Sequence, residues 1–243
     1  MQPPVILVIP AWDEAESIGA VLSEVPPELA GEVVVVVGSS ADLTAAVAAA
    51  HGARIIAQSR PGYGAACRQG AREAAALGAE IVVFLDGDYA DPPMQLAQVM
   101  GPVLADEADL VLGCRNVSAH PGALPLHARF GNRLVLTALR VLLGGSGLCD
   151  LPSFKAIRVE VLEALEMREM THGWTVEVVV LEKTARADLR RALVAIHYRP
   201  RLTGRSNVAG TGRGSLRAAW TMVTCAARCA RWTPPSVPMA EAA

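Results

Sequence analysis

Aromatic residues make up only 4% of this 243-residue chain, although 52% of it is apolar. Packing must therefore come from Ala, Val and Leu, and the length suits one large α/β domain or two small ones with a sizeable core. No window of about 18 apolar residues escapes a charge, so no membrane-spanning helix is expected. The N-terminus runs into a strand pattern without a basic segment or a cleavage signal, which places the expected site of action in the cytoplasm. Cysteines 67, 114, 149, 225 and 229 are odd in number and lack C-x-x-C spacing. That excludes a disulfide framework or a zinc site, and leaves Cys225 and Cys229 as small packing residues. A net charge of −2 argues against a general nucleic-acid binder. Between Asp188 and Glu241 there is no acid, but there are nine arginines: 190, 191, 199, 201, 205, 213, 217, 228 and 231. Such a block suits phosphate groups or an anionic membrane surface, and equally a solvated surface run.

What is present in the first half is an alternation of strand and helix patterns. Strands are expected at Val5–Ile9, Val33–Val37, Arg54–Ala57, Ile81–Leu85 and Leu110–Leu112, and helices at Glu14–Ser23, Ala41–His51, Tyr63–Ala76 and Pro92–Leu104. Near-continuous apolar strands between helices mean an α/β fold with a mostly parallel sheet covered on both faces. The second half is less regular, with helices at His127–Leu143, Val159–Met167, Thr175–Ala187 and Ser215–Trp232, and strands at Phe154–Ile157 and Leu193–Tyr198. The tail "TPPSVPMAEAA" is Pro- and Ala-rich and is expected to be disordered.

Polar residues follow the strands on one edge: "PAWDEAES", "GSSADLT", "DGDYADPP" and "GCR". In parallel sheets ligands collect at that edge. Asp86 and Asp88, one residue apart at a strand tip, raise each other's pKa unless a cation neutralises them. Hard oxygen ligands suit Mg²⁺ or Mn²⁺, and magnesium prefers one or two carboxylates plus substrate phosphates. The plainer reading of Asp86-Gly87-Asp88 is an acidic turn. Gly62-Tyr63-Gly64 reads as a glycine-rich turn or as helix entry. Ser39, Ser40, Asp42 and Thr44 offer either an anion site at a helix N-terminus or N-capping, with capping favoured for Asp42. Trp12, Asp13 and Glu14 sit where a base or ribose could rest, and Glu14 equally suits the helix dipole.

The ordered segments "VIPAWDEAESIG", "RPGYGAACRQGA", "FLDGDYADPP" and "LVLGCR" resemble glycosyltransferase family 2. The branch they look most like is the polyprenyl-phosphate glycosyltransferases related to dolichyl-phosphate mannose synthase. "DLPSFKAIR", "MREMTHGWTVE" and "YRPRLTGRSNVAGTGRGS" extend the likeness to about Ser215. The resemblance implies a GT-A fold, with 1–115 the nucleotide-sugar-binding half and 116–232 the acceptor-side half of one domain, ending in an amphipathic helix before the 233–243 tail. It implies that Asp86 and Asp88, around Gly87, hold the metal on the donor diphosphate. Pro10, Trp12, Asp13, Glu14, Ser40 and Gly64 would border the nucleotide. Arg115 and Arg129 would lie near the acceptor, and Arg199, Arg201, Gly204 and Ser206 would form a loop closing over phosphates. Three positions depart from the pattern: Val37 replaces an acid near the base, Asn207 replaces a lysine, and Ala90 replaces a polar residue, with Asp91 beside it.

The expected chemistry is an in-line displacement with inversion, from a nucleotide-diphosphate sugar to a lipid phosphate. An anionic acceptor needs no strong base, whereas a hydroxyl acceptor needs one. For that case Asp150 is the first candidate and Glu177 the second, either of which equally suits a local cap. Arg217, Arg228 and Arg231 fall within roughly 60° on a helical wheel, flanked by Trp220 and Trp232. That face suits a membrane interface, or an ordinary surface helix. A sugar-nucleotidyltransferase would want a basic glycine-rich loop after the first strand, which "PAWDEAES" lacks. A degenerate nucleotide-sugar binder is the non-enzymatic alternative raised by Val37, Ala90 and Asn207.

Overall fold

The computed structural model describes residues 4–115, 126–143, 148, 151–168, 171, 173, 175, 177, 189–202 and 212–229. The strands are Val5–Ala11 (β1), Glu32–Val37 (β2), Arg54–Ala57 (β3), Ile81–Phe84 (β4), Leu110–Arg115 (β5), Lys155–Arg158 (β6) and Arg191–Ile196 (β7). The helices are Ile18–Ser23 (α1), Thr44–Ala50 (α2), Tyr63–Ala76 (α3), Leu96–Leu104 (α4), Leu126–Leu143 (α5), Val159–Ala164 (α6) and Gly212–Cys229 (α7). One sheet has the order β3-β2-β1-β4-β6-β5-β7. All neighbours pair in parallel except β6, which runs antiparallel to both β4 and β5. The chain leaves β1 toward β2 on one side and β4 lies on the other, so a crevice opens where the carboxyl ends of β1 and β4 diverge.

Side chains alternate along each strand and feed two cores. Val5, Leu7, Ile9, Ile81, Val83 and Leu85 pack with Ile18, Val21, Leu96 and Val99 on one face. Ile6, Val8, Val82 and Phe84 pack with Ala66, Cys67, Val135 and Leu139 on the other. Small residues let α3 lie close to β1. A Cβ on Gly70 would stand 2.3 Å from Val8 Cγ1, inside a fully buried site. Gly70→Ala is therefore expected to lower stability by about 1–3 kcal/mol despite its better helix propensity. An unchanged urea midpoint would show that the contact yields.

Helix ends differ from the expected ones for local reasons. Residues 14–17 form a turn ahead of α1, with Ser17 N and Ile18 N both donating to Glu14 O. Residues 41–43 are held out of α2 by Asp13 Oδ1, which accepts from Ala41 N at 2.9 Å. A 3₁₀ turn at Pro93–Gln95 precedes α4. α6 stops at Ala164, and Glu166 turns the chain with φ 45. Most of the expected Thr175–Ala187 helix, the last residues of the C-terminal helix and the 233–243 tail lie outside the described residues. Cys67, Cys114, Cys225 and Cys229 are buried free thiols, as packing residues should be. Among the described residues no helix is long and apolar enough to cross a membrane.

Candidate active site at the carboxyl edge of the sheet

The β1 and β2 loops are sewn together by short polar side chains. Asp13 N donates to Ser40 Oγ at 3.0 Å, Glu14 N to Thr44 Oγ1 at 2.9 Å, and Ala15 N to Asp42 Oδ2 at 2.9 Å. Asp42 also accepts from Thr44 N at 3.0 Å, so it serves the loop locally. These bonds hold Asp13 at φ 53, a left-handed conformation rare outside glycine. Trp12, 51% exposed, stands at the mouth of the crevice beside Gly38. Pro10 lies inside β1 in register with Val36, and Val37 turns its side chain into the core.

The tip of β4 gathers carboxylates in little water. Asp86 accepts a hydrogen bond from Tyr63 Oη at 3.0 Å, just ahead of Gly64, whose N–H donates to Thr171 O at 3.1 Å. Asp88 is 3% exposed; its Oδ1 accepts from Ala90 N at 2.9 Å. Asp91 is 1% exposed; its Oδ2 accepts from Ser153 Oγ at 2.6 Å, while its buried Oδ1 has no partner among the described residues. The Ser17 hydroxyl lies 2.6 Å from Glu14 Oε2 and 2.8 Å from Gly87 O, tying the first loop to this turn. Burial raises the pKa of Asp88, and the Asp86 charge adds to it. Burial, then Asp86 and Asp88, push the Asp91 carboxyl up to about 7. Glu14 is raised by burial and, more weakly, by Asp88. Carboxylates this crowded call for a cation.

Part of that charge is supplied by arginines from β5 and from the segment after β7. Arg201 Nη2 lies 2.6 Å from Asp88 Oδ2, and its Nη1 lies 3.7 Å from Glu14 Oε1. Arg115, half-buried, stacks over the Tyr198 ring at 5.0 Å and weakly opposes the rise that burial and neighbouring carboxylates impose on Asp88 and Asp91. Arg199 has a different station. It forms a two-pronged ion pair with Glu24, at 3.2 and 3.0 Å, and lies 3.8 Å over the Tyr89 ring. Tyr89 donates to the same carboxylate. Arg199 N donates to Ala90 O at 2.8 Å, so this clamp straps residues 198–202 onto the 88–90 turn.

Asp86 and Asp88 fit a hard divalent ion: two oxygen donors, crowded, at the lip of a crevice. Among the described residues no three His, Cys, Asp or Glu side chains converge as a ligand set.

The model of glycosyl transferase family 2 matches residues 6–166. The chain belongs to glycosyltransferase family 2. An uncharacterized glycosyltransferase of Mycobacterium tuberculosis is 35% identical over 214 residues, 88% of this chain and 94% of the other. A dolichyl-phosphate hexose transferase of Haloferax volcanii is 30% identical over 197 residues, 80% of this chain and 82% of that one. The fold is also that of glucosyl-3-phosphoglycerate synthase from Mycobacterium tuberculosis, solved with Mn²⁺, uridine diphosphate and phosphoglyceric acid. That structure has a TM-score of 0.77 at 22% identity, covering 96% of this chain and 80% of that one.

The residues that the sequence suggested for the acceptor of this glycosyltransferase go to separate places. Glu177 is buried and accepts from Arg168 N at 2.8 Å. Arg129 is exposed on the first turn of α5. Asp150, Gly204, Ser206 and Asn207 lie outside the described residues. The sequence reading passed over Tyr63, Ser153 and Lys155. Lys155 is fully buried where β6 pairs with Phe84, with its Nζ 3.0 Å from Thr175 Oγ1. Burial lowers its pKa to about 8, against the opposing pull of Cys67, Asp86 and Asp91. A lysine inside the apolar run "SFKAI" was the available signal.

Proposed function

We propose that this family 2 enzyme is an inverting, metal-dependent hexosyltransferase moving a sugar from a nucleoside-diphosphate sugar to a polyprenyl phosphate. The observation that carries this reading is the pairing of Asp86 and Asp88 at the β4 tip with Arg201 and Arg115 on the same crevice. The structural neighbour solved with Mn²⁺ and uridine diphosphate, and the archaeal relative named a dolichyl-phosphate hexose transferase, support it.

Asp86 and Asp88 would hold Mg²⁺ or Mn²⁺, which when bound supplies Lewis-acid neutralisation of the leaving diphosphate. Tyr63 keeps its proton, because burial and the Asp86 charge raise its pKa well above the ordinary value, so it orients Asp86 as a donor. Trp12 offers a face to the base, and Val37 gives that base no carboxylate partner. Arg201 would take a donor phosphate oxygen. Arg115, braced on Tyr198, would take the acceptor phosphate, whose oxygen is ionised at neutral pH and needs no general base.

The lipid acceptor is supported by the surface made by α5 and α7. The two helices pack where Gly131 faces Ser215 and Ala219. Neither contains an acid, and Arg129, Arg133 and Arg217 are exposed. Beside them Phe130 and Trp220, at 63% and 70% exposure, stand out with Leu126, Leu134 and Leu216. Apolar side chains among arginines suit the headgroup region of an anionic bilayer.

Transfer assays with Mn²⁺ test the reading, pairing UDP- and GDP-sugars with a short polyprenyl phosphate or with soluble phosphorylated hydroxyl acceptors. Transfer to the lipid phosphate is expected; turnover confined to soluble acceptors would overturn the acceptor assignment. No turnover with retained nucleotide binding would leave a degenerate binder. The protein is further expected to sediment with phosphatidylglycerol vesicles, and the Phe130→Ser/Trp220→Ser variant to bind them at least tenfold more weakly. Equal sedimentation of both proteins would discard the α5–α7 face.

A further inference from the structure

Arg201 lies on the Asp88 oxygen that the backbone leaves open to a cation. Of the two oxygens of Asp88, Oδ1 accepts the Ala90 N–H and Oδ2 lies 2.6 Å from Arg201 Nη2. The second guanidinium nitrogen leans toward Glu14 at 3.7 Å, so a single side chain spans the β1 and β4 tips. A guanidinium and a divalent cation on one carboxylate repel each other, and the burial of Asp88 weakens the screening of that repulsion.

The backbone that carries Arg201 is fixed independently of this contact. Arg199 is clamped by Glu24 and Tyr89, Arg199 N bonds Ala90 O at 2.8 Å, and Leu202 N bonds Asp88 O at 3.4 Å. The Arg201 side chain can therefore swing without releasing the strap. A diphosphate seated beside Asp88 gives it an anionic partner to swing to.

We infer that Arg201 is the resident counter-ion of Asp88 and exchanges it for the donor diphosphate. Metal and nucleotide then bind with positive coupling, and the metal alone binds poorly. This rests on the reading of Asp86 and Asp88 as the metal-holding pair. By linkage the coupling is reciprocal: each ligand raises the affinity of the other by the same factor. The arrangement stops the carboxylates from holding a metal without a donor.

Mn²⁺ binding, followed by the loss of the free-ion electron paramagnetic resonance signal, tests the exchange without turnover. The samples are the wild-type protein, Arg201→Gln and Arg201→Lys, each alone and with saturating UDP or GDP, with folding checked by thermal melting. Wild type should bind Mn²⁺ weakly, and at least about tenfold more tightly with a diphosphate present. Arg201→Gln should bind Mn²⁺ alone about tenfold more tightly than wild type, and a diphosphate should then add less than it does in wild type. Arg201→Lys should fall between, and adding Asp88→Asn to Arg201→Gln should abolish the gain. If Arg201→Gln binds Mn²⁺ alone no more tightly than wild type, the exchange is wrong. Should neither nucleotide bind while Arg201→Gln still gains Mn²⁺ affinity through Asp88, the counter-ion role stands and the donor reading fails. If Arg201→Gln does not fold, Arg201→Lys decides: Mn²⁺ binding and coupling identical to wild type would overturn the inference.

Discussion

Asp88→Asn is expected to lower kcat/KM for sugar transfer by about 10³-fold while leaving the fold intact. Asparagine keeps the oxygen that accepts from Ala90 N, so the turn after β4 retains its bond. What is lost is the charge that would hold a metal and that now faces Arg201. Removing it also relieves Asp91, whose raised pKa is due in part to Asp88. The thermal midpoint should therefore hold or rise as activity collapses. Transfer within tenfold of wild type would take Asp88 out of the chemistry, and a matching fall in stability would mark it as structural instead.

The second large effect concerns pH. The Asp91 carboxyl is raised from 3.8 to about 7, chiefly by burial and then by Asp86 and Asp88. A proton bound more tightly in the folded state stabilises it below the ordinary pKa, and that stability is lost as pH rises through the folded value. The metal-free protein should lose roughly 4 kcal/mol from this group alone between about pH 4 and pH 7. Glu14 and Asp88, both raised by burial, act in the same direction. Asp106 and Asp109, held low by ion pairs with Arg190, act with the opposite sign but below the ordinary carboxylate range. Asp91→Asn should flatten the slope and raise stability at pH 8, since asparagine can still accept from Ser153. Urea titrations across this range decide the matter. A flat wild-type profile would mean that Asp91 is not held in the buried, crowded state described here.

Much of this could be read along the chain because the first half is built from local patterns. Apolar runs of strand length, separated by helix-length segments, require a covered parallel sheet, and the residues after each run must meet at its carboxyl edge. Asp86, Asp88, Trp12 and Arg115 were found that way. The antiparallel β6 was visible only as a short apolar stretch. Nothing local says that it inserts between β4 and β5, because strand order depends on which edge is free when the chain returns. That insertion brings the N-terminal end of β6 to the active edge, and with it Ser153 and Lys155.

Side-chain pairing was the least legible part. Arg199 and Arg201 look alike in "YRPRLTG", two residues apart on one extended segment. Folding nevertheless gives them different partners: Arg199 meets Glu24 and Tyr89, while Arg201 meets Asp88 and Glu14. No pattern in the segment distinguishes a clamp from a phosphate ligand; the partners come from residues 175 and 113 positions upstream, brought near only by folding. Sequence alone determined the sheet and the edge that carries the carboxylates, because those follow from periodicity and from residues close together in the chain, while the likeness of its ordered motifs carried the family. Tertiary structure decided which cation faces which acid and how much water remains between them, because charge interactions depend on distance and burial, neither of which is a local property of a sequence.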